Sequence, residues 1–377
     1  MKNLLLLIVC VVAAVTGFAT NTMEGVSAAM AIPLVDARNL FTKGIVDTLQ
    51  ERIKPTGFLS SFFPRVTSMT KSVSIEVQRG TEKIAVDVIR GTVGNRNTFS
   101  KSSEKLYVPP LYHEYFTVSE LEIYDKAMFE QSPAAFANMI QKAADYMEEQ
   151  KNKIERAIEL QAAQGLQTGI IVLSNGDNID FRRKAASMVD INVGGDYWTT
   201  ANGDPIKDFI DGATFLRTVG KSTSQVVNAV VGAKALNALL NNENFSKRAD
   251  IRSFKLDEVR LDLRNSEGAS PAGEVSAGAW TIRLWTYPGF YEDASGTMVP
   301  FVDESNVILI PETFKGCTAF AAVPQVMNGE GVRPQQGEYL IQDFIDERAA
   351  THEAHIKSAP IAVPTSIDRI YTMKVTA

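Results

Sequence analysis

Residues 132–165 read SPAAFANMIQKAADYMEEQKNKIERAIELQAAQG, and the rest of the chain is organised around this stretch. Ser132 is a good helix cap, and Pro133 suits the first helical position, where no amide donor is needed. Phe136, Ile140, Ala143 and Met147 recur on one stripe, continued by Ile154, Ala157 and Ile158. Glu149 with Lys153, and Lys151 with Glu155, stand at the spacing of supporting ion pairs. Gly165 is expected to end the pattern. A helix from Ser132 to Gln164 is roughly 50 Å long at about 1.5 Å per residue. Its narrow stripe predicts that it lies on a sheet with its other face in water.

Upstream, Val73, Ile75 and Val77 alternate, as do Ile84, Val86 and Val88, which predicts a β-hairpin over 72–88 turning at Arg79-Gly80-Thr81-Glu82. Gly91 to Glu104 is polar, with Val93 and Phe99 its only large apolar residues, and reads as a long loop without a core of its own. Between Lys71 and Lys105, seven bases (Lys71, Arg79, Lys83, Arg90, Arg96, Lys101, Lys105) oppose four acids (Glu76, Glu82, Asp87, Glu104), a local net of +3. Further upstream, Asn39 to Lys54 has helical spacing and stops at Pro55. Gly57-Phe58-Leu59-Ser60-Ser61-Phe62-Phe63-Pro64 is an apolar plug, for this subunit's core or for a neighbour's. Lys2 and the apolar run Leu4–Val15, followed by Gly17-Phe18-Ala19, have the layout of a secretory signal peptide cleaved after Ala19. An arm buried against another subunit, or a start at Met23 or Met30, are the alternatives.

Downstream the elements shorten. Gly169 to Phe181 predicts a hairpin turning at Asn175-Gly176. Helices are expected over Pro205–Val219 and Ala233–Leu240, and strands over Gln225–Val231, Trp280–Trp285, Val299–Phe301 and Val307–Ile310. Glu338 to Glu347 is acidic and reads as helix or loop, with closing strands over Arg348–Ala359 and Ile370–Thr376. The whole is an α+β chain without internal repeats.

The chain has 377 residues and a net charge of −6, which argues against a nucleic-acid reader. Cys10, Cys317 and three histidines are too few for a disulfide framework and argue against zinc. Gly220-Lys221-Ser222 lacks the glycine that a phosphate loop needs five residues earlier, where Phe215 stands, and reads as a turn. His352-Glu353-Ala354-His355 spaces its histidines three apart instead of four, and on a strand they face opposite sides. There is no Gly-x-Ser-x-Gly elbow, and Cys317 reads as a small buried apolar residue. No carboxylate is set in apolar surroundings, so no acid–base pair is nominated. Tyr287-Pro288-Gly289-Phe290-Tyr291-Glu292-Asp293 reads as a packed corner between strands, with a carbohydrate site the alternative.

Three segments carry a resemblance. Phe58-Leu59 before Phe62-Phe63 resembles an "FL…FF" element. Tyr287 to Asp293, with Gly296, Pro300 and Val307-Ile308-Leu309-Ile310-Pro311, is similar to a "Y-G-x-Y-x-D-x-G … P … V-I-L-I-P" stretch. Ser358-Ala359-Pro360-Ile361-Ala362-Val363 resembles "S-x-P-L-P-V". In this order, over about Met30 to Ala377, they resemble the major capsid proteins of lambda-type tailed phages, the capsid protein E family.

The resemblance implies a tailed-phage major capsid fold and a mechanical function as the subunit of an icosahedral shell, without catalytic residues, metal or cofactor. It divides the chain into a leader or extension over 1–29, an N-terminal arm over 30–65 and an extended loop over 66–118. A peripheral domain with the spine helix follows over 119–168 and 327–377, and an axial domain over 169–326. Its partners are the chain itself in pentamers and hexamers, portal and scaffolding proteins, a decoration protein, and double-stranded DNA packaged without sequence specificity. The expected location is the virion, after assembly in the host cytoplasm. Loop contacts are assigned to Arg79, Lys83, Arg90, Arg96, Phe99, Lys101 and Lys105. The acidic surfaces they would meet hold Glu120, Glu122, Asp125, Glu130, Glu338, Asp343, Asp346 and Glu347. An encapsulating nanocompartment shell and a secreted or surface-layer structural protein are the alternatives.

Overall fold

The computed structural model describes residues 57–78, 102–119, 133–173, 176–191, 196–248, 268–293, 295–327, 331–346 and 351–377. A 3-10 turn (Ser60–Phe62) precedes β1 (Arg65–Thr67), β2 (Val73–Gln78), β3 (Ser102–Tyr107) and β4 (Tyr112–Ser119). The long helix α1 (Pro133–Gln167) leads into β5 (Ile170–Val172), β6 (Asn178–Asp180) and β7 (Met188–Asp190). Next come α2 (Pro205–Thr218), β8 (Val226–Val231), α3 (Ala233–Asn241) and α4 (Glu243–Arg248). β9 (Ser270–Ala277), β10 (Trp280–Thr286), β11 (Phe290–Glu292), β12 (Met298–Pro300), β13 (Asn306–Pro311) and β14 (Cys317–Phe320) follow. The chain closes with β15 (Val323–Met327), β16 (Gly331–Gln335), β17 (Leu340–Asp346), β18 (Thr351–Ser358), β19 (Pro360–Val363) and β20 (Tyr371–Lys374).

The chain forms two compact units. The larger holds the described residues within Pro55–Tyr112, Asn152–Leu340 and Lys357–Ala377. Its frame is a mixed six-stranded sheet in the order β7-β20-β13-β8-β10-β9. Both faces are buried, so its central strands read as continuous apolar runs. Val307 and Leu309 of β13 enter one core with Val227 and Ala229 of β8, Tyr371 and Met373. That side is covered from α2 and α3 by Phe209, Leu216, Ala235 and Leu239. Gly212 allows the close approach of α2, since a Cβ there would stand 2.5 Å from a Leu309 methyl. Ile308 and Ile310 point the other way, into a second core with Val230, Ile370, Ala162, Ala163 and Leu166.

That second core also takes Phe58, Leu59 and Phe63, so the N-terminal plug serves its own subunit. The small sheet β1-β14-β19 closes it with Ala319, Ile361 and Val363.

The smaller unit holds the described residues within His113–Lys151 and Ile341–Ile356. Its sheet runs in the order β17-β18-β4. Phe116 of β4 meets Tyr146 of α1 with ring centroids 5.7 Å apart.

Four expectations change. The helix runs through Gly165 to Gln167, and a Cβ on Gly165 would meet only ordinary contacts, with the Ala362 carbonyl and Pro364 at 4.0 Å. The chain turns instead at Gly169, with φ +74°, whose amide donates back to the Gln164 carbonyl at 3.2 Å. The water-facing side of the helix narrows along its length: it is exposed at Asn152, Lys153 and Arg156 and only half-buried at Leu160, Gln164 and Gln167. The described partner of β2 is β3, paired antiparallel from Val73↔Tyr107 to Gln78↔Ser102. Ser102–Glu104 are therefore strand and not loop, while 79–101, with Ile84, Val86 and Val88, lies outside the described residues. The acidic stretch from Glu338 is also a strand, β17, because a sheet neighbour decides strand formation more than local charge does. The hairpin at Gly176, the helices α2 and α3 and the strands β8, β10, β13, β18 and β20 stand where their periodicity places them. The leader and arm up to residue 56 lie outside the described residues.

Candidate assembly surface

The three segments that carry the resemblance converge on α1 inside the larger unit, two of them on one carboxylate. Glu159 sits on the α1 stripe that also holds Ala162, Ala163 and Leu166, and it is buried. It accepts the backbone amides of Leu59 at 2.8 Å and Ser60 at 2.9 Å, opening the 3-10 turn as a capping acid would. A Cβ on Gly57 would run into the same carboxylate. The Tyr287 hydroxyl is hydrogen-bonded to Glu159, and burial together with that carboxylate raises its pKa. Phe58 packs on Trp285 and Tyr287 at 5.5 and 5.8 Å, and Tyr287 and Tyr291 on Phe301. The Tyr287–Asp293 segment is thus a packed corner. The C-terminal segment joins through α1, where buried Gln161 accepts the Ala362 amide (3.1 Å) and donates to the Tyr112 hydroxyl (2.9 Å). The expectation that no carboxylate stands in apolar surroundings fails at Glu159, whose role is structural.

Two arginines extend this frame. Arg65 makes a bidentate pair with Glu155 (3.1 and 2.7 Å) and a further bond to Glu338 (2.9 Å), while the Tyr339 hydroxyl donates to Glu155. Arg183 is buried and spends its donors on neutral acceptors: the Leu166 and Gln167 carbonyls, both oxygens of Ser187, and Thr372 Oγ1. Burial lowers its pKa to about 9, and the C-terminal carbonyls of α1 favour the charge there.

The outer surface differs in character. The connection from β1 through β2, β3 and β4 exposes Val66, Met69, Leu106, Val108 and Leu111, with Met69 74% and Leu106 66% exposed. Tyr107, between two of them, turns inward onto Phe181 with centroids 5.4 Å apart. The sequence signal was present: Leu106-Tyr107-Val108 is apolar on both sides of the strand alternation, and one side needs another cover.

Of the loop residues assigned to contacts, Arg79, Lys83, Arg90, Arg96, Phe99 and Lys101 lie outside the described residues, and Lys105 stands on β3. Glu120, Glu122, Asp125, Glu130 and Glu347 also lie outside them, whereas Asp343 and Asp346 stand on β17. Glu338 is half-exposed and already holds Arg65 of its own chain. Gly220-Lys221-Ser222 is a turn, with Lys221 at φ 51° and the Gly220 carbonyl held by Arg369 at 3.0 Å. Cys317 is half-buried on β14, and burial pushes its thiol pKa up. Among the described residues no group of three His, Cys, Asp or Glu side chains could hold a metal ion, and no helix is long and apolar enough to cross a membrane.

A family model described as phage major capsid protein E matches residues 42–375. No curated protein sequence matches significantly. Among solved structures, a protein assigned as the capsid protein of a prophage in E. coli CFT073 aligns over 89% of this chain and 99% of its own, with 17% identity and a TM-score of 0.62. The mature capsid protein of bacteriophage PhiM1 aligns over 94% and 91%, with 11% identity and a TM-score of 0.44. The SrpI encapsulin of Synechococcus elongatus PCC 7942 aligns over 97% and 95%, with 11% identity and a TM-score of 0.40. With the family model spanning nearly the whole chain and the fold shared with the prophage protein, this chain belongs to the phage major capsid protein E family and is a major capsid protein.

Proposed function

We propose that copies of this chain tile an icosahedral head through the connection between β2 and β3. The observation that carries this reading is the exposed apolar set Val66, Met69, Leu106, Val108 and Leu111 at the base of that connection. Both cores of the larger unit close without these side chains, and a lone subunit gains nothing by leaving them wet. The base carries a net +3 over residues 71–105 in a chain of net −6, which suits acidic neighbours. Arg79, Lys83, Arg90, Arg96, Lys101 and Lys105 supply the charge and Phe99 an apolar contact. The facing surfaces are Glu120, Glu122, Asp125 and Glu130, and Glu338, Asp343, Asp346 and Glu347. Each exposed pair contributes only about 0.2–1 kcal/mol, but a closed shell repeats it in every subunit.

The role is mechanical and not catalytic. The shell takes up double-stranded DNA without reading its sequence, is built in the host cytoplasm with portal and scaffolding proteins, and offers its outer face to a decoration protein. The segments 66–118 and 169–326 act as extended loop and axial domain, and 119–168 with 327–377 as the peripheral domain.

Reversing Arg90, Arg96 and Lys101 together to Glu tests the reading. Negative-stain microscopy should show closed particles for the parent, and unassembled subunits with an unchanged circular dichroism spectrum for the variant. Normal particles from the variant refute the loop assignment. Particles that protect no DNA in a phage lysate favour the nanocompartment reading.

A further inference from the structure

The chain has three histidines, and the structure brings two of them together on the sheet of the smaller unit. His113 Nε2 of β4 lies 2.7 Å from His355 Nδ1 of β18. The other nitrogen of His355, Nε2, lies 3.0 Å from Glu353 Oε2. Tyr115 stacks on the His355 ring (centroids 5.1 Å apart, planes 14°), and Phe344 of β17 meets it edge-on at 4.9 Å. His355 and Glu353 are two apart on one strand, so the alternation of strand side chains puts them on one face. The titratable groups in contact with His355, besides His113, are Glu353 on its own strand and Tyr115 on β4.

The geometry restricts where protons can sit. Glu353, as a carboxylate, only accepts, so His355 Nε2 carries a hydrogen towards it. His355 Nδ1 then either accepts from His113 or donates to it. One hydrogen lies between the facing nitrogens in either case, and one of the two rings can be an imidazolium without loss of the bond. Two imidazolium rings would oppose N–H to N–H at 2.7 Å, and the contact must open. The two rings stand on neighbouring strands, where like charges directly across are destabilising.

We propose that the Glu353–His355–His113 chain is an acid-sensitive latch between β18 and β4. It holds the two strands together while at most one ring is charged, and it releases them when both are. Histidine is the side chain suited to such a change between neutral and mildly acidic solution. The smaller unit is then the part of the subunit that loosens first in acid. The latch lies within one subunit and does not depend on the reading of the β2–β3 connection.

The test compares the full-length parent with His113→Gln, which keeps a hydrogen-bonding group at this exposed position but cannot become charged. Amide exchange of residues 112–119 and 351–358 is followed by mass spectrometry at pH 7.5 and pH 4.5, with the two proteins compared at the same pH so that intrinsic rates cancel. At pH 7.5 the two should be protected alike. At pH 4.5 the parent should exchange at least tenfold faster than the variant in both strands and equally elsewhere. An equal ratio at the two pH values overturns the latch. Faster exchange of the variant at both overturns it too, because the bond then matters only as packing. Should the variant fold poorly, the parent alone decides through acid titration of Tyr115 fluorescence against Tyr115→Phe: a change confined to unfolding of the whole chain refutes the proposal.

Discussion

Replacing Glu159 by Ala should destabilise the subunit severely, although the residue touches no ligand and is not exposed. The carboxylate accepts the amides of Leu59 and Ser60 and the hydroxyl of Tyr287. Leu59 is fully buried, so its orphaned amide costs about 1–3 kcal/mol. The Tyr287 hydroxyl, half-buried, adds about 1 kcal/mol, and Ser60, which water can reach, adds less. Truncation also leaves a cavity between the 58–63 plug and the aromatic corner, which adds roughly another 1 kcal/mol. Relief from holding a charge in the interior offsets part of this. The expected net loss is about 3–4 kcal/mol. Urea unfolding of unassembled subunits, followed by tryptophan fluorescence, reads it directly, because Trp285 packs against Phe58. Tyr287→Phe should cost about 1 kcal/mol, and the double variant less than the sum, since both changes remove one shared bond. A loss below about 0.5 kcal/mol for Glu159→Ala would refute the claim that this acid ties the plug, α1 and the Tyr287 corner together.

Asp208 is largely buried against Trp198, whose indole donates to it at 2.8 Å, and burial pushes its pKa up to about 6. The folded state therefore binds a proton more tightly than the unfolded one between about pH 4 and pH 6, and this group's contribution falls as pH rises through that window. The effect is on the order of 2 kcal/mol once the roughly 1.4 kcal/mol per pKa unit is reduced for partial solvent exposure. Asp208→Asn should flatten the slope of denaturant midpoint against pH there, and an unchanged slope would exclude Asp208 as its source. Gly165→Ala and Gly169→Ala should act in opposite directions on the melting temperature. Gly165 is helical with room for a methyl group, so alanine stabilises by about 0.5–1 kcal/mol. Gly169 has φ +74°, and its Cβ would stand 2.7 Å from Arg183 Cβ, so alanine there destabilises by more than 1 kcal/mol. Equal effects would refute the placing of the helix end.

Much of the larger unit is legible without the structure because its signals are local. Asp204 before Pro205 caps and starts α2, and Gly176 beyond Asn175 turns the β5–β6 hairpin. The unbroken Val307–Pro311 run marks a strand covered on both faces. The segments Phe58–Phe63, Tyr287–Asp293 and Ser358–Val363 resemble the capsid protein E family by residue type and order alone. In the fold Phe58, Leu59, Phe63, Ile361 and Val363 lie in one core, and Tyr287 and Tyr291 pack against it.

Pairing and partnership were not legible, because they depend on residues far apart in the chain. Ile75 reads as one side of a tight hairpin, yet its strand is bound to β3 across the 79–101 connection. Leu340–Asp346 carries two aspartates and became a strand because β18 was there to receive it. Glu155 reads as a helix-surface ion-pair partner, and its carboxylate is held by Arg65 from 90 residues upstream. Glu159 reads as one more polar helix residue until the plug and Tyr287 arrive from 100 residues before it and more than 120 after it. Likewise His113 and His355 meet only through the strand order β17-β18-β4, across 242 residues. Sequence by itself determined the long helix, α2, α3 and the apolar strands β8, β10 and β13, since periodicity and capping act over one or two turns. Only the tertiary structure decided which buried polar groups would face each other, because that requires strand order, and strand order is a property of the whole chain.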